Sequence, residues 1–76
     1  MKRFVIIHFE NIGDGRKSGP IVEKLRGWTR ESALTCFEEH RVQLQGKEGL
    51  LALREEQYNL QGEEWEAIEE IKEVKL

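Results

Sequence analysis

The sequence predicts an α+β fold in which an antiparallel sheet of about 4–5 short strands is packed by one helix. Apolar and β-branched residues alternate near the start of the chain, which is typical of a strand. Apolar residues spaced by three and four follow near residues 30–40, which is typical of a helix. The predicted element order is β-β-α-β-β-β. A chain of 76 residues buries too little surface to divide its core, so residues 1–76 are predicted to form a single domain.

The first predicted element is a strand over Arg3 to Glu10, "RFVIIHFE". Apolar side chains occupy both of its faces, which is typical of a central strand. A second strand is predicted over Pro20 to Arg26, in a hairpin with the first, because it has two β-branched residues and a leading proline. We expect one face of the first strand to be buried where it meets the helix: Val5, Ile7 and Phe9.

The loop between these strands, "NIGDGRKSGP" (residues 11–20), superficially resembles a phosphate-binding loop. Its glycines are spaced as G-x-G-x-x-x-G, and Arg16 stands where a P-loop has the glycine before its lysine. Phosphate-binding loops also open directly into a helix, whereas Pro20 is predicted to begin a strand. We therefore expect a surface hairpin tip, or a basic finger in which Arg16 and Lys17 contact an anionic partner.

The helix is predicted at about Arg30 to His40. Thr29 suits the N-cap, and Glu31 lies in the first turn, where the helix dipole favours negative charge. The members of the apolar stripe recur at spacings of three and four and should lie on the sheet. They are Ala33, Leu34, Cys36 and Phe37, with His40 as a further candidate.

Glycines divide the rest of the chain into short predicted strands. These strands lie near Arg41 to Gln45, Leu50 to Arg54 and Gln57 to Gln61. Residues 63–75 are compatible with either a helix or a final strand, because their apolar residues lie three apart. On a helix these residues spread over half a circle, and on a strand they require a bulge.

Metal-ligating and catalytic patterns are weak in this sequence. Cys36 and His40 stand four apart on one helical face, but structural zinc normally has four ligands. The other histidine is His8, and there is no second cysteine. A catalytic cysteine also requires an orienting third group, and the glutamate pairs are typical of solvated surface. We therefore predict no metal, no cofactor and no enzymatic activity.

The single cysteine cannot form an internal disulfide, which favours a reducing cytoplasm. The longest apolar run, Val5 to Ile7, is far shorter than the roughly 20 residues of a membrane span. We expect a cytoplasmic protein with no membrane partner.

Charge divides the chain into a basic first part and an acidic second part. Residues 1–30 carry seven basic and three acidic residues, and residues 31–76 carry five basic residues and twelve glutamates, which sums to the net charge of −3. Each part includes a tryptophan with a charged rim, a composition favoured at protein interfaces. The basic candidate surface consists of Arg16, Lys17, Lys24, Arg26, Trp28 and Arg30. The acidic candidate surface consists of Glu66, Glu69 and Glu70 around Trp65.

The order of "MKRFVIIHFENI", a glycine-bearing hairpin, a helix opened by "TRESAL", and strands with "GKEG" and "GEEW" is similar in layout to small phage and mobile-element proteins. Some type I anti-CRISPR proteins share this layout. The resemblance covers most of the chain and implies a protein that occupies a surface of a larger nucleic-acid-handling complex.

The sequence therefore predicts a small non-catalytic protein-interaction module. The expected partner is a protein, and nucleic acid is the second candidate. The alternative is a nucleic-acid-binding domain that uses the basic first hairpin. A salt titration separates the two, because direct phosphate binding weakens steeply with salt.

Overall fold

The computed structural model describes residues 1–9 and 20–76 and confirms the predicted α+β class. A four-stranded antiparallel sheet has the strand order β2-β1-β3-β4, and one helix packs on it. The central strands are therefore β1 and β3. The elements are β1 (Lys2–Phe9), β2 (Ile21–Arg26), α1 (Arg30–Gln43), β3 (Leu50–Asn59) and β4 (Glu64–Lys75).

Helix α1 begins where the sequence predicts. The Thr29 hydroxyl accepts a hydrogen bond from the Ser32 backbone N–H at 3.1 Å, which is the expected N-cap interaction. The helix is 14 residues long and is too short and too polar to cross a bilayer, as is every helix in residues 1–9 and 20–76.

The prediction of a strand over Arg41 to Gln45 is wrong, because Arg41 to Gln43 are the last residues of α1, Leu44 is its C-cap and Gln45 lies in the following turn. The two-residue spacing of Val42 and Leu44 resembles strand alternation. However, Arg41 donates a hydrogen bond to Glu38 one turn earlier, at 2.7 Å, which is a helical pairing. The chain then leaves the helix at Gly46, whose φ of +92° is accessible chiefly to glycine.

The two strands predicted at Leu50 to Arg54 and Gln57 to Gln61 form one continuous strand, β3, which ends at Asn59. Glu55 and Glu56, which lie between the two predicted strands, are both paired with β1 and with β4. The turn after β3 is fixed by the Asn59 side-chain oxygen, which accepts hydrogen bonds from the N–H groups of residues 61 and 62 at 3.0 and 3.3 Å.

The segment 63–75 forms a final strand, β4 (Glu64–Lys75), rather than a helix, and a bulge of the kind that a strand requires there is present twice. Leu53 pairs with Lys72 while Arg54 pairs with Glu70, so Ile71 is the extra residue at the first bulge. In the same way, Ile68 is the extra residue at the second bulge. The three-residue apolar spacing thus arises from an irregular strand.

Both faces of β1 are buried. On the helix side, the core is built around Phe37 of α1 and consists of Phe4, Ile6, Leu25, Ala33, Phe37, Leu51 and Leu53. On the opposite side, a second cluster consists of Val5, Ile7, Phe9 and Ala52. The prediction that Val5, Ile7 and Phe9 meet the helix is therefore wrong. Both alternating sets of β1 are apolar, and it is the other set that faces α1.

Candidate protein-binding surface

Side chains from all four strands meet on the sheet face opposite α1. Arg3 stands opposite Arg26 of β2 and opposite Glu56 of β3, while Tyr58 stands opposite Trp65 of β4. Residues that are partners across a ladder share one face of the sheet. We call this group the Trp65 cluster, which consists of Arg3, Arg26, Glu56, Tyr58 and Trp65.

A buried ion pair lies at the base of the cluster. Arg3 donates from Nε to Glu56 Oε1 at 2.9 Å, and its Nη2 lies 2.8 Å from the same oxygen. The two side chains are only 7% and 10% exposed. Because desolvating two charges is costly, such a pair is retained only with close geometry. The pair fixes the position of the Arg3 guanidinium.

The Trp65 indole is contacted by cations from two other strands. The guanidinium carbon of Arg3 lies 4.1 Å from the centroid of the indole ring, and that of Arg26 lies 5.5 Å away. Tyr58 meets the same ring edge to face, with centroids 5.3 Å apart and an interplanar angle of 62°. These separations are typical of cation–π and aromatic pairs. The half-buried indole is therefore held in one orientation by its neighbours.

The members of the basic candidate surface that lie within the described residues do not form one patch. Arg26 belongs to the Trp65 cluster, and Lys24 lies on the same sheet face because it pairs with Val5. Trp28 lies in the turn before α1, is 44% exposed, and lines a shallow pocket with Phe4, Leu25 and other residues. Two further members, Arg16 and Lys17, lie outside the described residues.

The acidic candidate surface is largely paired within the chain. Arg30, at the start of α1, donates to Glu69 at 2.6 Å, so these two predicted site residues lie together. Glu70 lies 3.9 Å from Arg54 across the strand pair. Glu66 accepts a hydrogen bond from Asn59 at 2.8 Å. These contacts reduce the number of carboxylates on β4 that remain for a partner.

We expect Glu69 to titrate below the ordinary pKa of a glutamate, because the hydrogen bond and charge of Arg30 stabilise its carboxylate. The pair therefore stabilises the fold above the unfolded-state pKa of glutamate, about 4.3, and this contribution is lost as pH falls through the lower folded pKa. Side-chain carboxyl NMR across pH should show the lowered pKa. Arg30→Gln should raise the pKa of Glu69, while Arg41→Gln, which instead removes one of the two basic partners of Glu38, should not. An unchanged titration of Glu69 in Arg30→Gln would exclude this pairing in solution.

No protein-family model, curated protein or solved structure matches this chain. The similarity in layout to type I anti-CRISPR proteins therefore stays a prediction. The candidate site rests on the geometry of the Trp65 cluster.

Cys36 and His40, the candidate ligand pair, both contact other residues of the protein. Cys36 is half-buried against the helix-side core, and burial, followed by the nearby charges of Glu23 and Glu39, raises the pKa of its thiol. A protonated thiol is a poor nucleophile and a poor ligand. The Nε2 atom of His40 lies 3.6 Å from the carboxylate of Glu23. Within the described part of the chain, no three metal-ligating side chains are grouped to hold an ion.

Sequence reasoning missed Glu56 and Tyr58 as members of a site. Each is an ordinary strand residue in the sequence, and only the register of β3 places one beside Arg3 and the other beside Trp65. One signal was present: Arg3 begins a strand whose apolar residues occupy both faces, so its charge requires a partner on a neighbouring strand.

Proposed function

We propose that this chain is a non-catalytic protein-interaction module that binds its partner through the Trp65 cluster and the neighbouring Lys24. The observation that carries the proposal is the half-buried Trp65 ring, which is contacted by arginines from two other strands. Tryptophan, tyrosine and arginine are the residues most enriched among interface hot spots. Here all three types meet on one sheet face.

The rigidity of the cluster supports this role. Ordering a flexible side chain at an interface costs binding free energy. Trp65 is already positioned by Arg3 and Tyr58, and Arg3 is fixed in turn by Glu56. A partner that covers this surface therefore loses little of the entropy that a mobile tryptophan would lose.

We further propose that the partner belongs to a nucleic-acid-handling complex and that the chain acts as a phage-type inhibitor that occupies a surface of that complex. The layout shared with type I anti-CRISPR proteins supports this proposal. A cytoplasmic location is part of it, and the unpaired, half-buried Cys36 is compatible with a reducing compartment.

The alternative function is a nucleic-acid-binding domain based on the first hairpin. The closeness of Arg26 to Trp65 favours it, because an aromatic ring beside a cation is a common platform for unpaired bases. The charge balance favours a protein partner instead. Arg3 is neutralised by Glu56, and Arg30 by Glu69, so two of the cations near the hairpin are already compensated.

The proposal predicts that Arg26→Glu and Trp65→Ala weaken partner binding by about tenfold or more, as expected for hot-spot residues. The immobilised parental protein would be incubated with native host extract, and proteins that it retains but the variants lose would be identified by mass spectrometry. Affinities would then be measured with the purified partner. Trp28→Ala is the matched control, since Trp28 is also a partly exposed tryptophan but lies outside the cluster.

Circular dichroism and denaturant midpoints would verify that each variant folds. Binding by both cluster variants within twofold of the parental affinity would refute the Trp65 cluster as the interface. Loss of binding only in Trp28→Ala would place the interface at the turn before α1. If the retained component is nucleic acid, and its affinity falls linearly and steeply with the logarithm of salt concentration, the alternative function is correct.

A further inference from the structure

We propose that Arg26 binds a carboxylate of the partner, so that the partner presents an acidic protein segment to the β2 side of the sheet. This inference rests on the proposed function and names the chemistry of the partner. Arg26 and Lys24 are two positions apart on β2, and both are exposed on the face opposite α1.

The charge around Arg26 is opposite in sign to the charge of the whole chain. Arg3, Arg26 and Lys24 contribute three positive charges to this part of the face, and Glu56 contributes one negative charge, which leaves +2. The whole chain carries −3. A local excess of positive charge on an acidic protein favours an anionic partner at that place.

The two arginines of the cluster differ in how their charges are compensated. Arg3 and Arg26 stand directly opposite each other on neighbouring strands, and like charges in such a pair are destabilising. Arg3 is buried against Glu56. Within residues 1–9 and 20–76, neither Arg26 nor Lys24 has a carboxylate within ion-pair distance, and Arg26 contacts the Trp65 ring. The charge of Arg26 is therefore available to a partner.

The position of Arg26 suits a carboxylate in particular. A guanidinium that lies over an aromatic ring keeps N–H donors at its edge, and these donors match the two oxygens of a carboxylate. The ring of Trp65, 5.5 Å from the guanidinium carbon, restricts where those donors point. Arg26 is thus partly oriented before the partner arrives, which lowers the entropy lost on binding.

The remainder of the sheet favours an acidic protein segment over nucleic acid. On the face opposite α1, strand β4 carries Glu70, Glu73 and Lys75, a balance of −1, because its other charged residues lie on the α1 side. A nucleic acid presents a continuous line of phosphates, and its extended charge is repelled by β4. A short acidic segment places its charge only near β2, and charges farther away than about 10 Å are screened by salt.

The test uses the full chain and NMR signals of two side chains, the Arg26 Nε–H and the Trp65 indole N–H. The probe is an acetylated, amidated peptide of alternating Asp and Gly, and the matched probe replaces each Asp by Asn. We expect the Asp peptide to shift both signals saturably and the Asn peptide to leave them unchanged. Arg26→Gln should weaken the peptide affinity measured from the Trp65 signal by about fivefold or more, since a charge-assisted pair is lost. Arg26→Lys should retain only part of this affinity, because lysine lacks the planar pair of donors.

Lys75→Gln is the control variant, because Lys75 lies on the same face at the far edge, opposite Leu50, and should respond as the parental protein does. The inference is overturned if the Asp peptide shifts neither signal, or if it shifts Trp65 equally in Arg26→Gln. It is also overturned if oligothymidylate of equal formal charge binds more tightly than the Asp peptide. These outcomes differ from failure of the proposed function, in which the cluster variants retain the purified partner at parental affinity.

Discussion

Replacing Phe37 by alanine is expected to lower the free energy of unfolding by about 3 to 5 kcal/mol. Phe37 is completely buried and is the large residue through which α1 contacts the sheet. Truncation removes its transfer free energy and leaves a cavity between Ile6, Leu25 and the helix. Native proteins are stable by only about 5–15 kcal/mol, so this loss is a large fraction of the total stability. The shift in the urea midpoint, with the m-value checked for two-state behaviour, gives the measurement.

Val42→Ala is the control for this experiment, since Val42 lies on the same helix but is 59% exposed. Its stability should change by no more than about 0.5 kcal/mol, because alanine is a good helix former and little contact is lost. A change below about 1 kcal/mol in Phe37→Ala would mean that α1 packs on the sheet through a different face.

Glu56→Ala is expected to destabilise the protein by about 3 to 5 kcal/mol, because it leaves the Arg3 charge buried without a partner. The two side chains are nearly excluded from water, and Glu56 Oε1 accepts from Arg3 at 2.9 Å. Urea unfolding at neutral pH measures the loss. The indole N–H signal of Trp65 should also shift, since Arg3 supports that ring at 4.1 Å.

A double-mutant cycle separates the loss of the pair from the penalty of the unpaired charge. Replacing Arg3 by Met together with Glu56 by Leu should be much less destabilising than the sum of the two single changes, because apolar isosteres often replace buried ion pairs at little cost. The exposed pair of Arg30 and Glu69 provides the comparison. Removing it should lower the free energy of unfolding by less than removing one partner of the buried pair. Strict additivity of the Arg3 and Glu56 changes would show that the two side chains do not interact in solution.

The class of fold could be predicted from sequence because its signals are local. The alternation in β1 and the Thr29 N-cap of α1 each depend on a few neighbouring residues. Which face of β1 meets the helix could not be predicted in this way. Phe4 and Val5 are both apolar, so which of their two faces packs against α1 depends on contacts with elements far along the chain.

The candidate site was predicted in part. Arg26 and Trp65 were both identified, but they were assigned to separate surfaces because they lie 39 positions apart in the sequence. Their meeting depends on the sheet order β2-β1-β3-β4, because their side chains extend from the two edge strands across the same face. Such long-range pairing leaves no periodic signal in a single sequence. The partners of Arg30 and Arg3 were hidden for the same reason.

The two bulges of β4 determine on which side of the sheet Trp65 lies. Side chains alternate along a strand, and each bulge adds one residue that the neighbouring strand does not match. Val74 and Trp65 lie on opposite faces of the sheet, as they would in a regular strand, because the two extra residues, Ile68 and Ile71, cancel each other's effect on the alternation. A single extra residue would place both side chains on the same face. Insertions or deletions within β4 therefore follow a parity rule. Paired changes keep the indole on the face of the sheet that carries Arg3, and a change of one residue turns it toward the helix side.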